Sequence, residues 1–277
     1  MRLCIGESDG QSDHVTRYSK TARLLLAITG LIMMSALATY AIGLDRQALW
    51  QVVQACVADF KLTTAPFPCL AVNLAGGEEG GDVVLRPPLT HDMILSPTRR
   101  VVGIEDPFLQ SPGAPNYFDA AWRARFLLTD AGGRPPNREA VALVVNSAVV
   151  RTQDQLHIHV GCLLPAVQRA IAAVTAQVPI GEWERLGTVI PHIVFWGTRV
   201  HGTDLADIEP FRLVGKAFAD KVHDERNLMI MVAAVHVEGE DGFLILASYL
   251  GATHSWWGVG DNELIGPHCP TETAPNR

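Results

Sequence analysis

The feature that most constrains this chain is a long uncharged run near its N-terminus, residues 24 to 44 (LLLAITGLIMMSALATYAIGL). At roughly 1.5 Å per residue, a helix over this run would span about 30 Å, the thickness of a membrane's hydrocarbon core. Basic residues precede the run and Asp45 follows it, and positive charge marks the cytoplasmic side of a membrane span. We therefore expect a cytoplasmic tail over 1–23, a transmembrane anchor over 24–44 and an exported domain over 45–277.

A cleaved secretory signal is the alternative for the same run. The sequence ALA at residues 36 to 38 has the small residues of a cleavage site. However, the run is longer than the ~7–15 apolar residues of a usual signal peptide. The length favours an uncleaved anchor, and either arrangement delivers the rest of the chain to the exterior.

The cysteines fit an exported domain. Cys4 lies in the tail, and four more follow the apolar run, at Cys56, Cys69, Cys162 and Cys269. An even number in an exported domain predicts two disulfides, although spacing alone does not choose among the three connectivities. Cys56–Cys69 is the natural local pair because it closes a short loop with prolines, and this leaves Cys162–Cys269. A zinc site is the alternative, but no C-x-x-C spacing supports it.

Composition and periodicity narrow the class of protein. The 277 residues suffice for one large domain or two small ones, and the net charge of −7 argues against a general nucleic-acid binder. A single nucleotide as ligand stays compatible with that charge. The short segment between residues 140–146 and 155–163 fits an antiparallel hairpin that pairs these two strands. The mixed order of elements, with hairpins, predicts an α+β fold around an antiparallel sheet. The expected helices are 45–60, one after 116, 165–178 and one near 210–222; the expected strands are 92–96, 100–104, 140–146, 155–163, 190–196, 228–237 and 242–250.

The segment RTQDQLHIHVGCL, residues 151 to 163, places two histidines in an apolar run. Side chains of a strand alternate between its two faces. Gln155, His157 and His159 therefore share one face, and the apolar residues between them share the other. Two imidazoles on one face can converge on a single ligand.

Three interpretations of these histidines compete. The simplest is a polar sheet face with two ordinary histidines. The second is a metal site, to which His91, His254 and Asp92 could add ligands, although nothing in their spacing indicates it. The third is nucleophilic catalysis, in which a neutral imidazole attacks phosphorus and water later cleaves the phosphoramidate.

A resemblance to a known family favours the third interpretation. QLHIHV resembles the histidine-triad (HIT) pattern His-φ-His-φ-His-φ-φ, where φ is apolar. LSPTRRVVGIEDP, PNYFDAAWRAR and VNSAVVRTQDQLHIHVGCLLPAV together resemble the bacterial CDP-diacylglycerol pyrophosphatases, membrane-anchored members of the HIT-like superfamily. The resemblance covers most of residues 50 to 165 and returns at Cys269. It implies a HIT-like antiparallel sheet with flanking helices, preceded by one transmembrane helix.

The resemblance also assigns roles on the histidine strand. His157 matches the middle histidine of the triad, which is the family's nucleophile. His159 matches the last histidine and is expected to help bind the phosphates. Gln155 takes the first position, where the pattern has a histidine, and its amide can hydrogen-bond a phosphate or a ring nitrogen. This departure bears on the efficiency of the reaction more than on its type.

Three further residues are candidates for substrate binding. Asn146 matches an asparagine on the preceding strand that the superfamily uses near the nucleotide. Thr152 occupies a position where many members carry a hydroxyl that binds the phosphates. Arg151 is a cation that could meet a pyrophosphate. Each also has an ordinary structural explanation as a turn, strand-end or solvated residue.

The resemblance implies hydrolysis of CDP-diacylglycerol, a lipid-nucleotide substrate, to CMP and phosphatidate through a nucleotidyl-histidine. Neither a metal nor a cofactor is required for this reaction. It also implies a bacterial inner membrane location, with a single span and the catalytic domain on the extracytoplasmic side. The alternatives are a hydrolase or transferase for other nucleoside diphosphate compounds, and a catalytically silent anchored binding protein.

Overall fold

A computed structural model describes five segments of the chain and Leu25. The segments are residues 45–88, 92–130, 132–190, 193–249 and 260–270, with side chains not described at 188–190. The chain divides into two units, Met1–Ala48 and Leu49–Arg277. The predicted tail and anchor over 1–44 lie outside the described residues, Leu25 excepted. Within the described segments, no helix has both the length and the apolar character needed to span a membrane.

The second unit is built on one antiparallel sheet, which confirms the predicted α+β class. Its described strands are β1 (Ala71–Asn73), β2 (Asp82–Leu85), β3 (Met93–Pro97), β4 (Val141–Val145), β5 (Ile158–Cys162), β6 (Glu184–Ile190), β7 (Ile193–His201), β8 (Leu228–Val237) and β9 (Glu240–Tyr249). Their order across the sheet is β1-β2-β3-β5-β4-β8-β9-β7-β6, and neighbouring strands pair antiparallel. The predicted pairing of residues 140–146 with 155–163 is confirmed as the pair β4 and β5.

Helices flank this sheet. They are α1 (Ala48–Thr63), α2 (Gly77–Gly80), α3 (Tyr117–Ala124), α4 (Pro165–Thr175) and α5 (Pro210–Phe218). Proline opens both α4 and α5, because its missing N–H would be unpaired in the first turn anyway. The predicted strand over 100–104 is wrong: these residues form a loop. The loop contacts the segment before β5, which is distant in the sequence, and these tertiary contacts explain why the local pattern mispredicts it.

One face of the sheet carries the larger apolar core. Phe118 and Trp122 of α3 and Phe211 of α5 pack there with Leu143 and Val160 of the central strands. All five side chains are at most 6% exposed. Burying aromatic side chains of this size dominates the energetics of a core. Packing on this face therefore holds β4 and β5 in place.

The opposite face carries two separate apolar clusters. In one, Val53 of α1 packs on β2 and β3, where Ile94 is a member. In the other, Ile171 of α4 packs on β4 and β8, where Val144 is a member. His159 of β5 pairs in register with both Ile94 and Val144, so it shares their face. The histidines therefore lie in the gap between the two clusters.

Two disulfides close the unit, with the predicted pairing. Cys56–Cys69 joins α1 to the loop before β1, and Cys162–Cys269 joins the end of β5 to the C-terminal segment. This pairing excludes the alternative of a zinc site built from these cysteines. The second disulfide holds residues 260–270 beside the histidine strand, where Gly266 donates its N–H to the carbonyl of Cys162 at 2.8 Å.

Candidate active site

His157 lies immediately before β5 and is only 8% exposed. Its Nδ1 lies 2.7 Å from the carbonyl oxygen of Gln155. Because a carbonyl only accepts, Nδ1 carries the proton and donates it there, which leaves the lone pair on Nε2. Burial, followed by the nearby His159, lowers the pKa of His157 to about 4. The ring is therefore neutral near pH 7 and has the tautomer that a nucleophile needs.

The side chain of Gln155 is fully buried and binds a loop. Its Nε2 donates to the carbonyls of Pro97 at 3.1 Å and Arg99 at 2.9 Å, and its Oε1 accepts from the N–H of Val101 at 3.3 Å. Both N–H bonds of the amide are thus used within the protein. In this geometry Gln155 supports His157 through its backbone carbonyl, and its predicted contact with a phosphate stays a prediction.

His159 stands beside His157, with 5.0 Å between ring centroids. Its Nδ1 lies 2.6 Å from Oδ2 of Asp92 and 3.4 Å from Oδ2 of Asp261. Since a carboxylate accepts, this nitrogen carries a proton and donates it to Asp92. The second ring nitrogen, Nε2, is left for contacts within the site.

Asn146 follows the last residue of β4 and is 6% exposed. Its Nδ2 donates to Oδ1 of Asp261 at 2.7 Å, and its Oδ1 accepts the backbone N–H of Asp261 at 3.0 Å. Nδ2 also lies 3.4 Å from Nε2 of His159. The predicted residues Asn146, His157 and His159 are therefore brought together.

The two aspartates of this site were not predicted as parts of a catalytic centre. Asp92 entered the sequence analysis only as a candidate metal ligand. The place of Asp92 in the site could have been predicted from the sequence, because Asp92 shares a strand face with Ile94, which pairs with His159. No sequence signal points to Asp261, which lies 115 positions from Asn146.

Asp92, His159 and Asp261 together could hold a metal ion. Their ligand atoms all lie within 4.8 Å of one another. However, hydrogen bonds to Asp92 and to Asn146 account for the same arrangement without an ion. His91 and His254, the other proposed ligands, lie outside the described residues.

Arg151 is 7% exposed and joins two loops. Its Nη1 and Nη2 donate to the two carboxylate oxygens of Glu105, each at 2.6 Å, and Nη2 also lies 3.3 Å from Asp154. A bidentate pair of this kind is strong and geometrically specific. Arg151 therefore braces the segment before His157, while the neighbouring Thr152 is exposed. Contacts of either with a phosphate stay predictions.

Two cavities do not by themselves place the site. A cavity of about 160 Å³ is lined by Asp92, the partner of His159, together with Gly161, Arg86 and His268. A larger one of about 600 Å³ lies along α5 and β7 and contains none of the residues described above. Neither of these two cavities is lined by His157 or His159. The site is therefore identified by its chemistry, from the fixed tautomer of His157 and the hydrogen bonds around His159.

Comparison with known proteins identifies the family of the chain. A family model described as CDP-diacylglycerol pyrophosphatase matches residues 44–269. A protein of that name from Yersinia pestis is 35% identical over 206 residues, which cover 72% of this chain and 77% of that protein. Proteins of the same name from Mycobacterium bovis (strain BCG / Pasteur 1173P2) and Mycobacterium tuberculosis (strain ATCC 25177 / H37Ra) are each 31% identical over 204 residues, covering 73% of this chain and 75% of those proteins.

Proposed function

Because the chain belongs to the CDP-diacylglycerol pyrophosphatase family, we propose that it hydrolyses the pyrophosphate of CDP-diacylglycerol with His157 as nucleophile. The products are CMP and phosphatidate. The observation that carries the assignment of His157 is its hydrogen bond from Nδ1 to the carbonyl of Gln155, which leaves Nε2 unprotonated. The lowered pKa of His157, due first to burial, keeps it so at neutral pH.

In the first step the lone pair of Nε2 of His157 forms a bond to the phosphorus that bears cytidine. The bond from that phosphorus to the bridging oxygen breaks, its electron pair goes to the oxygen, and phosphatidate leaves. The carbonyl of Gln155 stabilises the positive charge that develops on the ring, since it accepts the Nδ1–H at 2.7 Å. The result is a cytidylyl-histidine.

In the second step a water oxygen bonds to the same phosphorus. The phosphorus–nitrogen bond breaks, its electron pair returns to Nε2 of His157, and CMP leaves with the oxygen of water, while one proton of that water is released to the solvent. The arrangement acts by positioning and by neutralising charge. By its order of histidines the motif is HIT-like, with Gln155 supplying its backbone carbonyl and not a third ring.

The test is product analysis with CDP-diacylglycerol dispersed in detergent. The wild-type chain should release CMP and phosphatidate. A brief incubation with substrate labelled at the cytidine phosphate, followed by quenching at alkaline pH, should leave label on a peptide that contains His157. His157→Ala should release CMP at least about a thousandfold more slowly, because removing a nucleophile removes most of the catalysis.

Two rivals have distinct outcomes in the same assay. Equal CMP release by wild type and His157→Ala would remove His157 from the mechanism. Turnover of soluble nucleoside diphosphate compounds, with none of the lipid, would favour a hydrolase or transferase for those substrates. Binding of CDP-diacylglycerol without turnover would favour a silent binding protein.

We also propose that residues 24–44 anchor the catalytic unit to the bacterial inner membrane, with that unit on the extracytoplasmic side. The support is the length of the uncharged run and the basic tail before it. Two disulfides in the second unit are typical of an oxidising compartment. An anchor would hold the enzyme at the surface where its lipid substrate resides. Protease added to intact spheroplasts should digest the catalytic unit, and alkaline carbonate should not extract the chain from membranes.

A further inference from the structure

The chain enters the second unit beside the segment that precedes His157. It enters at Leu49, whose N–H donates to Oε1 of Gln153 at 2.8 Å. The uncharged run of residues 24–44 ends shortly before Leu49, so even a fully extended chain separates the end of this run from Leu49 by roughly 18 Å at most. A membrane that held the run would therefore lie within about that distance of Leu49 and its partner Gln153.

Two segments meet at this point, residues 100–103 and residues 147–153, and we call them together the proximal surface. A Cβ on Gly103 of the first segment would lie 2.0 Å from Nη1 of Arg151 of the second, so the two segments are packed tightly against each other. The first segment also reaches α1, where the guanidinium carbon of its second arginine lies 5.6 Å from the ring centre of Trp50. The proximal surface is therefore continuous with the start of α1.

The proximal surface exposes apolar side chains. Val102 is 38% exposed and Val149 is 54% exposed, one on each segment. Single exposed valines are ordinary on a protein surface, so their exposure alone indicates nothing. Their position next to the place where the chain enters the unit is what distinguishes them. Trp50 beside them is half-buried, and tryptophan is a residue that membrane–water interfaces favour.

The proposed substrate requires a nucleophile close to a bilayer. In CDP-diacylglycerol the pyrophosphate is joined directly to the glycerol that bears the acyl chains. The phosphorus that His157 attacks therefore stays among the lipid headgroups while the chains stay in the bilayer. Drawing the chains out into water is strongly unfavourable, because every exposed CH₂ group adds to the cost. A protein that acts on this lipid gains if the surface around its nucleophile meets the headgroups.

We propose that the proximal surface docks on the lipid bilayer, with Val102 and Val149 among the headgroups, so that His157 faces the layer in which the substrate resides. This inference rests on the proposed function. The partner is a bilayer because the chain before Leu49 is the uncharged run that a hydrocarbon core would hold. The anchor then keeps the unit near the membrane, and the proximal surface determines which side of the unit meets it.

The first test compares two forms of the substrate. The full chain is reconstituted in phosphatidylcholine vesicles, and CMP release is measured from dioleoyl CDP-diacylglycerol in those vesicles and from dihexanoyl CDP-diacylglycerol dissolved as monomers. Replacing both valines by glutamine (Val102→Gln with Val149→Gln) should slow CMP release from the dioleoyl lipid about tenfold, because losing the burial of a valine corresponds to about that factor. The rate with the dihexanoyl lipid should stay at the wild-type value, since a dissolved substrate reaches His157 without docking.

The control for this test is Ile180→Gln. Ile180 is 49% exposed, a similar fraction, but it pairs with Arg199 of β7, which lies four strands from β5 in the sheet. This variant should keep the wild-type rate with both substrates. The proposal is overturned if the double variant keeps the wild-type rate in vesicles. It is also overturned if both substrates slow by the same factor, since the substitutions would then disturb the loop and not the docking.

A second measurement does not depend on activity. With Cys4 replaced by serine, a cysteine placed at Val102 (Val102→Cys) is labelled with the fluorophore NBD in the reconstituted chain. Lipids brominated near the headgroup should quench this label and should leave a label on Ile180→Cys unchanged. A blue-shifted label that brominated lipid does not quench would mean that another copy of the chain covers the surface, which overturns the proposal. If the wild type releases no CMP from either lipid, the proposed function fails, while quenching still decides whether the surface meets the bilayer.

Discussion

At the scale of the residue, the surroundings of His157 determine its tautomer and lower its pKa. The sequence predicted a neutral imidazole and the neighbour His159, and the alternation of faces followed from strand geometry. It could not predict that the carbonyl of Gln155 would fix the tautomer, because this bond depends on how the chain turns before β5. The contact of Asp261 with Asn146 could not be predicted either, because it depends on how the C-terminal segment folds.

The buried, neutral state of His157 predicts a dependence of stability on pH. Its pKa is about 4 in the folded chain and about 6.5 when unfolded, so between these values only the unfolded state takes up the proton. Stability from this group is therefore full above pH 6.5 and is lost as pH falls toward 4. Between pH 7 and pH 5 the loss is about 2 kcal/mol.

Urea unfolding of the wild type and of His157→Asn at pH 7 and pH 5 measures this contribution. The wild type should lose about 2 kcal/mol more than the variant on going to pH 5. His201→Asn is the control, because His201 is exposed. Equal losses in the wild type and His157→Asn would mean that His157 titrates as a solvated histidine does.

At the scale of the element, β5 begins later than predicted. The sequence predicted a strand over 155–163, and the structure has β5 from Ile158. Leu156 donates its N–H to the carbonyl of Val101 at 2.7 Å, and the side chain of Gln155 binds the same loop. Those partners are 54 or more positions away, so no local pattern reveals them. The same contacts explain why residues 100–104 form a loop and not a strand.

Gly103 of this loop should be intolerant of a side chain. A Cβ there would lie 2.0 Å from Nη1 of Arg151 and 2.6 Å from Oε2 of Glu105, so the ion pair that braces the loops would have to part. We expect Gly103→Ala to lower the free energy of unfolding by about 1–3 kcal/mol. CMP release should also slow, because Gln155 would shift with the loop. Urea unfolding and the CMP assay measure the two effects.

The matched control for that prediction is Gly113→Ala. A Cβ at Gly113 would meet no atom within 4 Å. This variant should keep wild-type stability and activity. If Gly103→Ala behaves as Gly113→Ala does, the bracing role of Arg151 is wrong.

At the scale of the whole second unit, the site is assembled where two apolar clusters leave β5 uncovered. The sequence predicted the antiparallel sheet from the mixed order of elements with hairpins, and the cysteine pairs from the short loop that Cys56 and Cys69 close. It did not predict the gap, since this depends on α1 and α4 packing over different strands. The C-terminal segment then closes the gap from one side and contributes Asp261.

The two disulfides should therefore differ in their effect on activity. Cys162–Cys269 closes a loop with a separation of 107 residues, against 13 for Cys56–Cys69. Chain entropy gives about 4.7 kcal/mol for the longer loop and about 3 kcal/mol for the shorter.

Replacing Cys162 and Cys269 together by alanine should also release the segment that carries Asp261 and slow CMP release in the protein that is still folded. Replacing Cys56 and Cys69 together should lower stability while the folded fraction keeps its rate. Urea unfolding, followed by the CMP assay corrected for the folded fraction, separates the two effects. Equal specific rates in the two double variants would show that the site does not depend on the C-terminal segment.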